Sequence, residues 1–273
     1  MGKFDGILIC TDLDGTLFRN DKTISRENTE AIEYFKKQGG FFTFVTGRMP
    51  MFVSYVAETV KPNVPFGCVN GAALYDYEKG EYISKILMNR KVMELVKYVD
   101  DNFPDVGIQV NTFSNVYFSK ENESMAKFRE LTGAENIVCR YDDVQEPLAK
   151  IVFGCEREEE IKKLEEMLKA HPMADEFDFI RSEKTLFEIL TKGTGKGASI
   201  NGLCKHLNLD RKKTIAIGDY NNDVEMLEAA GVGIAVSNAC AEARAAADFV
   251  TVSNEENAIA KVISDIEAGV YTI

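Results

Sequence analysis

The sequence predicts an α/β protein: a Rossmann-like parallel-sheet core whose chain is interrupted by an inserted α+β module. Three observations carry this expectation. Short apolar runs alternate with amphipathic helical stretches through the first third. The middle reads instead as antiparallel strand pairs with helices beside them, and the last third returns to the first pattern. The 273 residues are enough for one large domain or two smaller ones.

The elements follow in order. "GILICTD" is an apolar strand that stops at Asp12. "TISRENTEAIEYFKKQGG" is a helix with Ser25 as N-cap, Ala31, Ile32 and Phe35 on one face, and Gly39 closing it. "FFTFVTG" is a second buried strand, a helix is expected over 49–60, and "FGCVNG" is a third strand. This βαβαβ rhythm implies parallel pairing with right-handed crossovers. "GIQVNTF" and "NVYFS" flank a Ser-Asn turn and read as a hairpin. Helices are expected near 90–102 and 122–132, "LAKIVFGC" as a strand, and "REEEIKKLEEMLKA" as a charged amphipathic helix. "FDFIRS" and "TLFEILT" form a last antiparallel pair. The return segment holds a helix over 196–207, strand "TIAIGD", a helix over 222–230, strand "VGIAV" and a short "FVTV". The division is 1–83 and 191–273 for the core, with 84–190 inserted.

Composition excludes several classes. A formal charge of −12 argues against nucleic-acid binding, which needs clustered Lys and Arg. No apolar run approaches the roughly 20 residues of a membrane span. "MGKFDG" lacks the apolar core of a secretory signal. The six cysteines include no C-x-x-C and several sit in apolar runs, so reduced thiols and a cytoplasmic location are expected. Only two histidines are present, His171 and His206, and they are far apart in sequence, against a His-based metal or triad site.

Four segments carry the chemistry, each tied to the end of an expected core strand or the start of a helix: "TDLDGT", "TGR", "GTGKG" and "GDYNND". In open α/β sheets ligands bind beyond the carboxyl ends of the strands, at the topological switch point, where these segments would converge. Asp12, Asp14, Asp219 and Asp223 brought together would repel unless a cation sat among them, and hard oxygen donors select Mg²⁺. Thr, Lys, Arg and backbone amides nearby suit phosphate oxygens. Two other phosphate motifs fail. Leu190 stands at the first glycine of a Walker A loop and Gly197 at its Ser/Thr, and no G-x-G-x-x-G follows the first strand.

On these residues the chain resembles the haloacid dehalogenase superfamily of phosphohydrolases, in particular its Cof-like branch. D-x-D-G-T is matched by Asp12, Asp14, Gly15 and Thr16; the Thr after the second strand by Thr46; the lysine by Lys196; and G-D-x-x-N-D by Gly218, Asp219, Asn222 and Asp223. Asn70 to Ala72 match a further Cof-like "NGA". The insertion lies where this branch carries its larger cap. The resemblance implies a Mg²⁺-dependent phosphatase acting on small phosphorylated metabolites, such as sugar phosphates or phosphorylated cofactors. Asp12 would be the nucleophile, and Asp14 the acid and base, holding a proton in the first step. Leu13 and Gly47 through their amides, with Thr46, Lys196 and Asn222, would hold phosphate. The metal would take the Asp12 carboxylate, the Asp14 carbonyl and the Asp219 carboxylate, with Asp223 in contact directly or through water. Arg48 and Asn70 are candidate substrate contacts, with pairing to a carboxylate the alternative for Arg48. A phosphomutase or phosphotransferase on the same core, or a non-catalytic binding protein, are the alternative functions.

Overall fold

The computed structural model describes residues 2–273. The chain forms two compact units, one from residues up to Lys85 together with Gly195–Ile273, the other from Ile86–Thr194. The first unit opens with β1 (Leu8–Thr11), α1 (Arg26–Lys37), β2 (Phe41–Phe44), a 3₁₀ turn over Pro50–Phe52 and α2 (Ser54–Val60). Ser25 caps α1 by accepting from the Asn28 amide, and Ile32 and Phe35 are buried, whereas Ala31 is only half-buried. The helix expected over 49–60 is broken at Val53, whose φ of −123° leaves the helical region.

The third strand departs from the expected parallel sheet. After β3 (Phe66–Cys68) come β4 (Ala73–Asp76) and β5 (Glu81–Lys85), and these make a separate antiparallel sheet in the order β3-β4-β5. Its tie to β2's extension is a single parallel bridge, Val45 to Gly67. The physical reason is the turn at Val69, Asn70 and Gly71, whose φ values of 54°, 48° and 83° reverse the chain. The Asn-Gly pair between apolar runs was the sequence signal for this hairpin.

The second unit contains α3 (Val92–Asn102), β6 (Gly107–Thr112), β7 (Val116–Lys120), α4 (Glu123–Thr132), β8 (Ile137–Val138), β9 (Leu148–Gly154), α5 (Glu158–Lys169), β10 (Phe177–Glu183) and β11 (Leu186–Thr191). Its six strands run in the order β10-β11-β9-β6-β7-β8, antiparallel except for the β7–β8 pair. Val92, Leu95, Val96 and Val99 of α3 and Ile161, Leu164 and Leu168 of α5 form one core with Ile108, Val110, Ile151, Phe153, Phe187 and Ile189. Strand alternation sends Gln109, Asn111, Lys150 and Glu188 to the opposite face. There Lys150 pairs with Glu188 at 2.8 Å. The unit begins and ends slightly later than 84 and 190. β5 stays paired to β4 as far as Lys85, and the turn after β11 is held by Asp178 accepting from the Gly193 amide.

The chain returns with α6 (Lys196–Leu207), β12 (Thr214–Gly218), a 3₁₀ turn over Asn221–Asp223, α7 (Val224–Ala229), β13 (Val232–Ala235), α8 (Ala241–Ala246), β14 (Phe249–Val250) and α9 (Ala258–Glu267). β8, α8 and α9 were not anticipated, although Ile259, Val262, Ile263 and Ile266 carry a helical period. The main sheet is entirely parallel, in the order β14-β13-β12-β1-β2. β1 thus lies between β12 and β2, where the order reverses. Leu8, Ile9, Cys10, Phe42, Phe44, Ile215, Ile217 and Ile234 are fully buried, which explains why these strands read as unbroken apolar runs. Among the described residues no helix is long and apolar enough to cross a membrane.

Replacing Ser25 with Ala removes the cap acceptor of α1 without touching the sheet. Urea unfolding of Ser25→Ala should show a loss of about 1 kcal/mol with the circular dichroism of the folded protein unchanged at low denaturant.

Candidate active site

The carboxyl ends of β12, β1 and β2 lie side by side, and each delivers a polar segment. The Asp12 amide continues the ladder by donating to the Ile217 carbonyl at 2.8 Å, and the Thr11 hydroxyl donates to the Asp12 carbonyl at 2.8 Å. The chain then winds through Leu13–Leu17, closed by the Phe18 amide donating to the Leu13 carbonyl at 2.8 Å. Gly15 is required here. Its φ is 81°, and a Cβ would stand 2.4 Å from Asp219 Oδ2. The next residue, Thr16, donates its hydroxyl to Asp219 Oδ1 at 3.1 Å, and Asn238 Nδ2 donates to the Gly15 carbonyl at 2.8 Å.

Oxygen atoms of Asp12, Asp219 and Asp223 lie within 4.8 Å of one another. Lys196, only 1% exposed, places Nζ 2.6 Å from Asp12 Oδ1 and 2.5 Å from Asp223 Oδ1. Asp223 Oδ2 accepts from the amides of Asp219 and Tyr220 at 2.9 and 3.0 Å. Burial raises the Asp12 carboxyl well above its ordinary value, Asp223 and Asp219 raise it further, and Lys196 opposes them. Asp219 is pushed up to about 6 by burial and then by Asp223. Burial works against the Lys196 ammonium, but Asp12 and Asp223 outweigh it and hold the charge. Three carboxylates against one cation leave excess negative charge, which a divalent ion would neutralise. The donors are all hard oxygens, as Mg²⁺ prefers. Asp12, Asp219 and Asp223 each offer an oxygen to such an ion, and Asp223 also holds the lysine and the Asp219 turn.

Asp14 stands in a different environment. Arg48 grips it with two bonds, Nε to Oδ2 at 3.0 Å and Nη2 to Oδ1 at 2.8 Å, and Lys22 Nζ reaches Oδ1 at 2.8 Å. Partial burial favours the neutral acid, but Arg48 and Lys22 outweigh it and hold the carboxyl below its ordinary value. Both Asp14 oxygens thus meet cations, Oδ1 accepting from Lys22 and Arg48 and Oδ2 from Arg48. The carboxylate partner expected as one reading of Arg48 is Asp14. Lys22, with a left-handed φ of 65°, was not anticipated. It sits in an exposed loop, and no spacing marks it.

The remaining expected residues are distributed around these groups. Leu13 is fully buried behind Asp12. Thr46 is buried, and its Oγ1 accepts from the Arg48 amide at 3.2 Å. Gly47 packs on the Asn70 amide, where a Cβ would lie 2.8 Å from Oδ1. Asn70 is fully buried, and Asn222 is half-buried in the turn that carries Asp223.

A parallel α/β sheet thus carries a lysine clasped between carboxylates at its switch point. The family profile of haloacid dehalogenase-like hydrolases matches residues 9–263, and the chain belongs to that family. The 5-amino-6-(5-phospho-D-ribitylamino)uracil phosphatase YwtE of Bacillus subtilis is 27% identical over 96% of this chain and 99% of its own length. A haloacid dehalogenase-like hydrolase from Bacteroides thetaiotaomicron superposes with a TM-score of 0.83, at 24% identity, over 95% of this chain and 99% of that one. A subclass IIB sugar phosphatase of the same superfamily does so with a TM-score of 0.84, at 22% identity, over 95% and 98%.

Removing the buried cation strands Asp12 and Asp223 without a partner. Lys196→Ala should lose about 3–5 kcal/mol of stability at neutral pH, read by chemical denaturation in chelator.

Proposed function

We propose that the protein is a Mg²⁺-dependent phosphatase that hydrolyses small phosphorylated metabolites, sugar phosphates or phosphorylated cofactors, through an aspartyl-phosphate. The observation that carries this reading is the convergence of Asp12, Asp219 and Asp223 within 4.8 Å around buried Lys196. The substrate range is supported by the phosphorylated ribityl compound in the name of the Bacillus relative and by the sugar phosphatase of the same fold.

The Asp12 carboxylate attacks phosphorus, and the bond from phosphorus to the ester oxygen breaks. Lys196 and the Thr46 hydroxyl bind phosphoryl oxygens together with the amides of Leu13 and Gly47 and the side chain of Asn222. The substrate's own dianion competes for Arg48 and Lys22, which frees Asp14 to carry a proton. Asp14 gives that proton to the leaving alkoxide and later takes one from the water that attacks the aspartyl-phosphate. That second step cleaves the bond between phosphorus and Asp12 and releases phosphate. Mg²⁺ held by the carboxylates of Asp12 and Asp219 and the carbonyl of Asp14 would neutralise charge on the phosphoryl oxygens. The second unit, as a cap, would select the leaving group.

Turnover of an aryl phosphate should require Mg²⁺ and vanish in chelator, and Asp12→Asn should fall to background. Full activity in excess chelator, or more than a few per cent left in Asp12→Asn, would remove the assigned roles. Asp14→Asn should leave Mg²⁺ affinity near wild type and lower turnover by about 10²–10⁴-fold. In single-turnover phosphorylation of the enzyme, a sugar phosphate should suffer more than an aryl phosphate, whose leaving group needs little protonation. Equal losses with collapsed Mg²⁺ affinity would make the Asp14 side chain a metal ligand instead.

A further inference from the structure

We propose that Asn70 is a positioning residue, which through its left-handed turn sets the Thr46–Arg48 segment and the start of α6 relative to each other. It does not contact substrate in this assignment. The turn Val69–Asn70–Gly71 has three consecutive residues at positive φ, 54°, 48° and 83°. For a β-branched residue such as Val69 this is a true outlier, and such strain persists only where surrounding structure over-determines it. Two reactive segments supply that structure. The Val69 amide donates to the Arg48 carbonyl at 3.1 Å, and the Asn70 amide N–H donates to the Thr46 carbonyl at 3.1 Å. Between those carbonyls lies Gly47, pressed against the Asn70 side chain, whose Oδ1, Nδ2 and Cγ would stand 2.8, 3.0 and 3.1 Å from an added Cβ.

On its other side the turn meets α6. A Cβ on Gly71 would fall 1.8 Å from the carbonyl oxygen of Gly195, the residue before Lys196. One buried turn therefore touches the segment bearing Thr46 and Arg48 and the helix start bearing Lys196. Asn70 is fully buried within it, so its amide meets protein. An Asn also tolerates the left-handed conformation better than most side chains. A shift of this turn would move Thr46, Arg48 and Lys196 together, and a misplacement of about 1 Å can lower turnover about 10²-fold.

The inference rests on the phosphatase reading for its kinetic readout only. Amide hydrogen exchange reports the positioning whether or not that reading holds. Asn70→Gly removes the side chain while keeping the backbone conformation accessible. Exchange at Thr46–Arg48 and Gly195–Lys196 should quicken by about tenfold or more, with β1 unchanged, and kcat on an aryl phosphate should fall by about 10–10²-fold. Inhibition by inorganic phosphate should weaken in parallel, with Mg²⁺ affinity held within about twofold, because Asp12 and Asp219 keep their places. Gly47→Ala presses on the same contact from the opposite side and should reproduce these effects, so the test survives if Asn70→Gly folds poorly. In Gly47→Ala combined with Asn70→Gly the added methyl enters the vacated space, and the double variant should be no worse than Asn70→Gly alone. Additive losses would overturn the proposal. So would unchanged exchange, or a lowered Tm with the kinetics of the folded protein intact. A KM increase confined to one substrate, with phosphate inhibition unaltered, would return Asn70 to the role of a substrate contact.

Discussion

Everything at this site depends on one ammonium group held out of water between two carboxylates. Lys196 is the first residue of α6, yet it is almost fully buried, because its side chain meets Asp12 at the end of β1 and Asp223 in the turn after β12. An isolated charge at that depth would be prohibitive, and so would the carboxylates alone. Together they tie the helix to two neighbouring strands. They also leave the cluster short of positive charge, which a divalent cation would offset.

The two aspartates of the first motif share a turn and almost nothing else. Asp12 lies inside the carboxylate cluster, where burial and like charges raise its carboxyl. Asp14 points to Arg48 and Lys22, which hold it low. Gly15 follows Asp14, where its positive φ bends the chain and the missing Cβ admits Asp219 beside the turn. Two carboxyl groups one residue apart in the chain thus stand in opposite electrostatic environments. The exposed Lys22 contact is the cheaper of the two on Asp14 to give up, since surface ion pairs contribute little, whereas the Arg48 contact is bidentate.

The second unit divides its sheet by strand alternation. One face carries the aliphatic core beneath α3 and α5, and the other carries Gln109, Asn111 and the Lys150–Glu188 pair. An ion pair with both side chains nearly buried contributes less to stability than an apolar pair of similar volume would.

The residues by themselves determined the parallel core, the inserted module and the motif residues at the ends of the strands. Strands buried on both faces must be apolar, and the residues that interrupt them at Asp12, Thr46 and Asp219 stand out by contrast. α1 and α6 were legible for local reasons, through the Ser25 cap and the glycine before Lys196. Only the tertiary structure decided which charges meet. Lys22 reaches Asp14 across a loop whose sequence carries no period, and Arg48 chose a carboxylate partner that chain spacing could not single out. The fate of the third strand was decided the same way. Its composition suits a parallel sheet, but the left-handed turn at Val69–Gly71, braced by the carbonyls of Thr46 and Arg48 and by Gly195, turns it into an antiparallel hairpin. Patterns of burial are written along the chain because each residue faces its own side of an element. Pairings between distant charges and strained turns are not, because they exist only once several segments have been brought together.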